Sequence, residues 1–116
     1  MVAKARLRFK LISALKNANG HILTLNLKNN GNRILKNMVV HLIYLSHNFS
    51  TDPLSSFVYA LMPNADETIT FSIPVSSLKL VWFSVSGYAN GDTHFSIQSP
   101  LLTVQSKDDE MNFLLT

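Results

Sequence analysis

The chain contains no cysteine, which removes disulfide staples, thiolate metal sites and thiol nucleophiles from consideration. Its glycines number four, and three follow asparagine (Asn19-Gly20, Asn30-Gly31, Asn90-Gly91), leaving too few for a phosphate-cradling loop. A Gly-x-Ser-x-Gly nucleophile elbow and a recognisable carboxylate pair for glycoside hydrolysis are also missing. No apolar run approaches the ~18 residues of a membrane-spanning helix. The early basic residues are interleaved with apolar ones and do not precede an uninterrupted apolar stretch, so a secretory signal is not expected in the chain as it stands. Nor does any long stretch keep a 3.6-residue apolar period, and Asn17, Asn19 and Gly20 interrupt any helix near the N-terminus.

Acid is missing from one half. Residues 1–51 carry eight bases (Lys4, Arg6, Arg8, Lys10, Lys16, Lys28, Arg33, Lys36) and no acid. Residues 52–116 carry two bases and seven acids, so the halves are +8 and −5 and together give the net +3. Such asymmetry marks either an anion-facing surface or two halves that face each other within one fold.

What is present is strand grammar. A 116-residue chain that is 47% apolar and 15% charged can bury a core without metal or disulfide, and it reads as a single domain, 1–116. Ala5 to Leu15 alternates, with Leu7, Phe9, Leu11 and Leu15 against Arg6, Arg8 and Lys10. Asn19-Gly20 then offers a hairpin turn, because both residues tolerate positive φ. His21 to Asn29 alternates in turn, with Leu23, Leu25 and Leu27 on one side. Asn30-Gly31 reads as the next turn, and Leu35 to His47 as the third strand. Asn48 to Ser56 is polar and reads as a loop, Phe57 to Met62 as a short strand, and Glu67 to Ile73 as a strand ended by Pro74, which cannot donate to a ladder. Leu80 to Ala89 is the most apolar strand and reads as central. Asn90-Gly91 supplies a third hairpin signal, and Thr93 to Gln105 reads as one strand or a pair broken near Pro100. About seven such strands predict an all-β fold, an immunoglobulin-like antiparallel β-sandwich, with a small barrel as the alternative.

A resemblance points the same way. The run LTLNLKNNGNRILKNMVVHLIYL (residues 23–45), the turn and strand LMPNADETITFSI (61–73) and the strand and hairpin from Leu80 to Asp92 resemble prokaryotic immunoglobulin-like modules of the CARDB type, over roughly residues 23–104. The chain departs from that pattern at Asn64-Ala65, where a glycine is expected after Pro63, and in keeping only Asp92 of an acid-rich strand end. The resemblance implies a non-enzymatic spacer or adhesive module of the cell envelope or of secreted proteins, if a signal has been removed. Otherwise the chain would be cytoplasmic. Fold alone does not decide function.

Two clusters are candidate binding sites. Val39, Ile43 and Leu45 form a second apolar row on the third strand. Trp82 lies on the row of Leu80, opposite Val81, Phe83 and Val85. A lone tryptophan on a central strand is more often core than contact. Yet apolar residues on both faces of two strands imply a covered outer sheet, by a protein partner, a neighbouring domain or a second copy in a homodimer. Lys4, Arg6, Arg8 and Lys10 line one face of the first strand and could meet an anionic partner. Weighed against this are protection of an edge strand and pairing with the acidic C-terminal segment. Nucleic acid is disfavoured because Phe9, the aromatic nearest these bases, falls on the opposite row. His21, His41, His47 and His94 lack zinc-ligand spacing, the Asp108-Asp109-Glu110 cluster lacks calcium-loop spacing, and no metal or cofactor is expected. Asn48-Phe49-Ser50 matches a glycosylation acceptor, a triplet common by chance. The expected function is therefore a non-enzymatic structural or protein-binding module. The alternative is a cytoplasmic adaptor or anionic-ligand binder using the basic first strand.

Overall fold

Phe83 marks the centre of the molecule. Its ring stacks on Phe9 (centroids 6.3 Å apart, 18° between planes) and meets Phe71 at 6.0 Å and a 44° tilt. Those three rings come from distant parts of the chain, and the sheets they belong to face each other across a single core. The computed structural model describes residues 5–17, 20–46, 54–74, 78–107 and 110–115, with side-chain placement for 5–15, 20–44, 54–74, 78 and 80–101.

The described residues form nine strands and no helix: β1 (Leu7–Asn17), β2 (Gly20–Asn29), β3 (Leu35–Ser46), β4 (Leu54–Leu61), β5 (Asp66–Ile73), β6 (Leu78–Ala89), β7 (Thr93–Gln98), β8 (Leu102–Lys107) and β9 (Glu110–Leu115). All their pairings are antiparallel. The expected strands are present. The last divides around Pro100 into β7 and β8, and the C-terminal apolar run adds β9. The fourth begins at Leu54, inside the stretch expected as loop.

One layer of this β-sandwich is β1–β2–β5 and the other is β4–β3–β6–β7. The hairpin β8–β9 joins them, because β8 pairs β6 and β9 pairs β1. First and last strands are thus neighbours, the arrangement weighed as one alternative for the basic first strand, with Leu15 opposite Glu110. Alternation fills the core: Leu23, Leu25 and Leu27 from β2, Met38, Val40 and Leu42 from β3, and Val81, Phe83 and Val85 from β6 are all fully buried. Each such side chain contributes on the order of 1.5–3 kcal/mol of transfer free energy. The fold spans 43 × 24 × 24 Å.

Two readings are corrected by the strand order. Asn30-Gly31 does not close a hairpin, because β2 pairs β1 and β5 while β3 pairs β4 and β6. The chain crosses there from one layer to the other. Its corner is held by the buried Asn29, whose Nδ2 donates to the carbonyls of Arg33 (2.8 Å) and Leu61 (3.0 Å) and whose Oδ1 accepts from the Gly31 amide (3.0 Å). Leu15 does not share the inward row of Leu7, Phe9 and Leu11. A register shift between Leu11 and Ser13 inserts one residue, so Ala14 turns inward and Leu15 is 47% exposed. A side-chain period of two makes a one-residue insertion swap the faces beyond it.

The Asn90-Gly91 turn behaves as read. Asn90 (φ 54°) and Gly91 (φ 92°) take left-handed backbone between β6 and β7. Asn64 adopts φ 67° after Pro63, with the Ala65 amide bonded to the Met62 carbonyl (3.0 Å), a left-handed position that asparagine tolerates. The β1–β2 connection at residues 18 and 19 lies outside the described residues, and Gly20 is already paired with Asn17.

Candidate functional site

The outward side chains of each layer are the candidates, since the inward ones are committed to the core. On β4–β3–β6–β7 the register lines up rows across four strands. One is Phe57–Val39–Ser86–Ser96, the next is Ser55–His41–Ser84–Gln98, and beyond it Ile43 stands opposite Trp82. Val39, Ile43 and Trp82 are therefore brought to one face. All three are half-buried, so Trp82 belongs to the outer row and not to the core. Leu45 continues the row opposite Leu80, and the placement of its side chain lies outside the described residues. Aromatic rings flank the group: Phe57 is 60% exposed, Tyr59 70% and Tyr88 40%. Tyr88 meets His94 edge-on at 5.6 Å, and His41 Nδ1 lies 2.8 Å from Ser55 Oγ. Apart from Lys36 at one end, these rows carry no formal charge.

Sequence reasoning missed Phe57 and Tyr59. They sit on alternate positions about the buried Val58, and that spacing was the available signal. In a short apolar strand, however, either row can be the inner one, and only the partner strand decides.

A bulge shapes the same layer. Asn37 takes φ 51° where the β3–β6 register shifts, and Gly87 of β6 lies against it. A Cβ on Gly87 would stand 2.8 Å from Met38 Cγ and 3.0 Å from the Lys36 carbonyl oxygen. Here glycine is required by close backbone approach.

The β1–β2–β5 layer presents a different surface. Arg6, Arg8 and Lys10 are all exposed on the outward row, as expected; Lys4 lies outside the described residues. The row is partly balanced. Arg8 stands beside Lys28, which stands beside Asp66. Arg8 Nη2 donates to Asn26 Oδ1 (2.9 Å), and Asn26 Nδ2 donates to Asp66 Oδ2 (3.2 Å) and Thr68 Oγ1 (3.3 Å). Asn26 thus links a base on β1 to an acid on β5. Thr24, Thr68, Thr70 and Ser72 complete a hydroxyl-rich face, with exposed Ile12 and Leu15 at the far end of β1. The recorded β1–β9 pairing falls at Leu15, away from Arg6 and Arg8. Asp108 and Asp109 lie outside the described residues, as does Glu110's side-chain placement.

The histidines do not converge. His21 is buried on the inward side of β2, opposite Ile73, while His41 and His94 face outward on the other layer; His47 and the Asn48-Phe49-Ser50 triplet lie outside the described residues. Among the described residues there is no group of three or more metal-capable side chains and no helix long and apolar enough to cross a membrane.

No family model and no curated protein matches the chain. Among solved structures it is similar to the structural-genomics target SoR45, with a TM-score of 0.60 and 14% identity, over 87% of this chain and 85% of that one. A likeness to Spo0M, a sporulation control protein from Bacillus subtilis, has a TM-score of 0.44 and 12% identity, and covers 91% of this chain and 51% of that one. At such identities the SoR45 match establishes the β-sandwich fold and nothing of activity.

Proposed function

We propose that this chain is a non-enzymatic, immunoglobulin-like module that binds a protein or a neighbouring domain through the outer face of β4–β3–β6–β7, in a cell-envelope setting. The observation that carries the reading is the row geometry: Val39, Ile43 and Trp82 lie together on one uncharged face bordered by exposed aromatic rings. Large apolar side chains clustered on an outer face are what a partner-burying surface offers, and aromatic residues are enriched where interfaces concentrate their energy. The serine-rich rows between them, Ser84, Ser86 and Ser96, let another backbone or side chain approach closely. Leu45 extends the same row along β3.

A photo-crosslinking residue placed at position 43 or 82 in cells tests this directly, with Thr70 on the opposite layer as the control. A discrete protein adduct from 43 and 82, and none from 70, is the expected outcome. Equal labelling from all three positions, or no adduct, rejects the outer face as the binding surface.

A second reading rests on the exposed Arg6, Arg8 and Lys10 row: a cytoplasmic adaptor or anionic-ligand binder. Its test is a salt titration against anionic vesicles and nucleic acid. Affinity that falls steeply with salt and disappears when those three residues are replaced supports it. Absence of binding at low salt removes it. The Arg8–Asn26–Asp66 link already satisfies part of this charge, which places the aromatic face first.

A further inference from the structure

The sheet path has two ends, β4 and β5, and they are protected unequally. The β5 strand begins with exposed Asp66 and Glu67 and is followed by Pro74, which has no N–H to offer. Charge and proline at a sheet edge discourage a further strand from adding. The β4 strand, LSSFVYAL, lacks the charge: Leu54–Leu61 carries no charged residue and no glycine, and Pro53 before it is the counterpart of Pro74 after β5. Among the described residues it pairs on one side only, with β3. An uncharged eight-residue edge with two exposed rings is a template for strand addition.

We infer that β4 pairs with β4 of a second copy of this chain, antiparallel across a two-fold axis at Val58. Self-complementarity selects the occupant and the register. With Val58 on the axis, Phe57 stands opposite Tyr59 of the second copy, and Tyr59 opposite its Phe57. Both are outward-facing, so two aromatic cross-strand pairs form on one surface at once. Because Leu54–Leu61 is uncharged, the two-fold creates no like-charge pair. Pairing also uses up the open edge, and the protected β5 ends growth there, so the assembly closes as a dimer and does not extend into a fibre. This pairing is a main-chain edge contact and does not depend on Trp82 or Ile43 binding anything.

Light scattering of the purified full chain across the micromolar range measures the outcome. A mass of twice 13.0 kDa is expected. The F57K/Y59K variant places lysine opposite lysine at both positions and should raise the dimer Kd by at least about tenfold. The F57K/Y59E variant places lysine opposite glutamate in this register alone and should restore the dimer. Both side chains are exposed, and thermal melting verifies that each variant folds. Register is read independently by disulfides, since the natural chain has no cysteine. An F57C chain mixed with a Y59C chain should cross-link under oxidation, whereas either alone should link poorly. Identical positions would lie about 8 Å apart, beyond disulfide reach. A wild-type mass of 13.0 kDa throughout overturns the dimer. A dimer that persists in F57K/Y59K, or equal cross-linking in the single-variant samples, overturns this edge and register. A Trp82 adduct found beside a monomeric mass would leave the outer-face reading standing while this one falls.

Discussion

On the β1–β2–β5 layer the outward rows are Arg6, Arg8, Lys10, Lys28 and a set of threonines, tied across strands by Asn26. On the β4–β3–β6–β7 layer they are Val39, Ile43, Trp82, Phe57 and Tyr59 with serines between, and apart from Lys36 they are uncharged. Both layers bury apolar inner rows, His21 excepted, in the one core that holds Phe83. The difference therefore lies outside what the fold needs. A polar outer face satisfies itself with water and with cross-strand hydrogen bonds, as Asn26 does with Arg8, Asp66 and Thr68. An aromatic outer face gains from water little beyond bonds to the Tyr59 and Tyr88 hydroxyls, and that composition is the ground for the proposed binding face.

Four substitutions break or sharpen that contrast. The largest effect is expected from Phe83→Ala, which removes the ring shared by both layers and should cost roughly 3–5 kcal/mol in denaturant unfolding. It should destabilise the two layers together, as one cooperative transition; separate transitions would show that the layers do not share a core. Gly87→Ala strikes the aromatic layer alone. Its Cβ would meet Met38 and the Lys36 carbonyl at the bulge, and a loss of about 1–3 kcal/mol is expected. A melting temperature equal to wild type would mean the bulge gives way freely. Asn26→Ala strikes the polar layer, unlinking Arg8 from Asp66, and about 1 kcal/mol should be lost. The smallest change belongs to Phe57→Ser, measured at a dilution where chains are monomeric. At 60% exposure this ring supports little of its own fold, and stability should stay within about 0.5 kcal/mol. A loss as large as that of Asn26→Ala would show the aromatic face to be structural, and the contrast between faces would weaken.

Much of this was legible in the chain. Alternation put Leu23, Leu25 and Leu27 on one row and separated Val81, Phe83 and Val85 from Leu80 and Trp82. On that second, doubly apolar strand it favoured Trp82 as core, whereas Val81, Phe83 and Val85 are the buried row. The Asn90-Gly91 hairpin was readable because its turn demands positive φ at successive residues. What could not be read are features settled between strands distant in sequence. Asn30-Gly31 looks locally like a hairpin, yet Asn29 spends its amide on Arg33 and Leu61, across a layer boundary. The insertion near Ile12 leaves no signature in LRFKLISALKN, since either Ala14 or Leu15 suits an inner row. Gly87 looks like a spare glycine until the Asn37 bulge is set against it. For the candidate surface, the Val39, Ile43 and Leu45 row could be marked as a second apolar face. The neighbouring Phe57 and Tyr59 could not be assigned to it without the β3–β4 register.

The unbroken hydrogen-bonded path from β4 through β8 and β9 to β5 has a kinetic consequence. A sheet wrapped into one ribbon has a seam where its two ends approach, and local opening should begin there and not in the middle of either layer. The seam is pinned at one end. Asn29 bonds the Leu61 carbonyl at the close of β4, its amide donates to the Ala65 carbonyl (3.0 Å), and its own carbonyl accepts from the Asn64 amide (2.8 Å). At a dilution where chains are monomeric, amide hydrogen exchange should accordingly rise along β4 and β5 with distance from Asn29, fastest at Leu54 and Ile73. The amides of β2 and β6 should exchange last, only as the whole molecule unfolds.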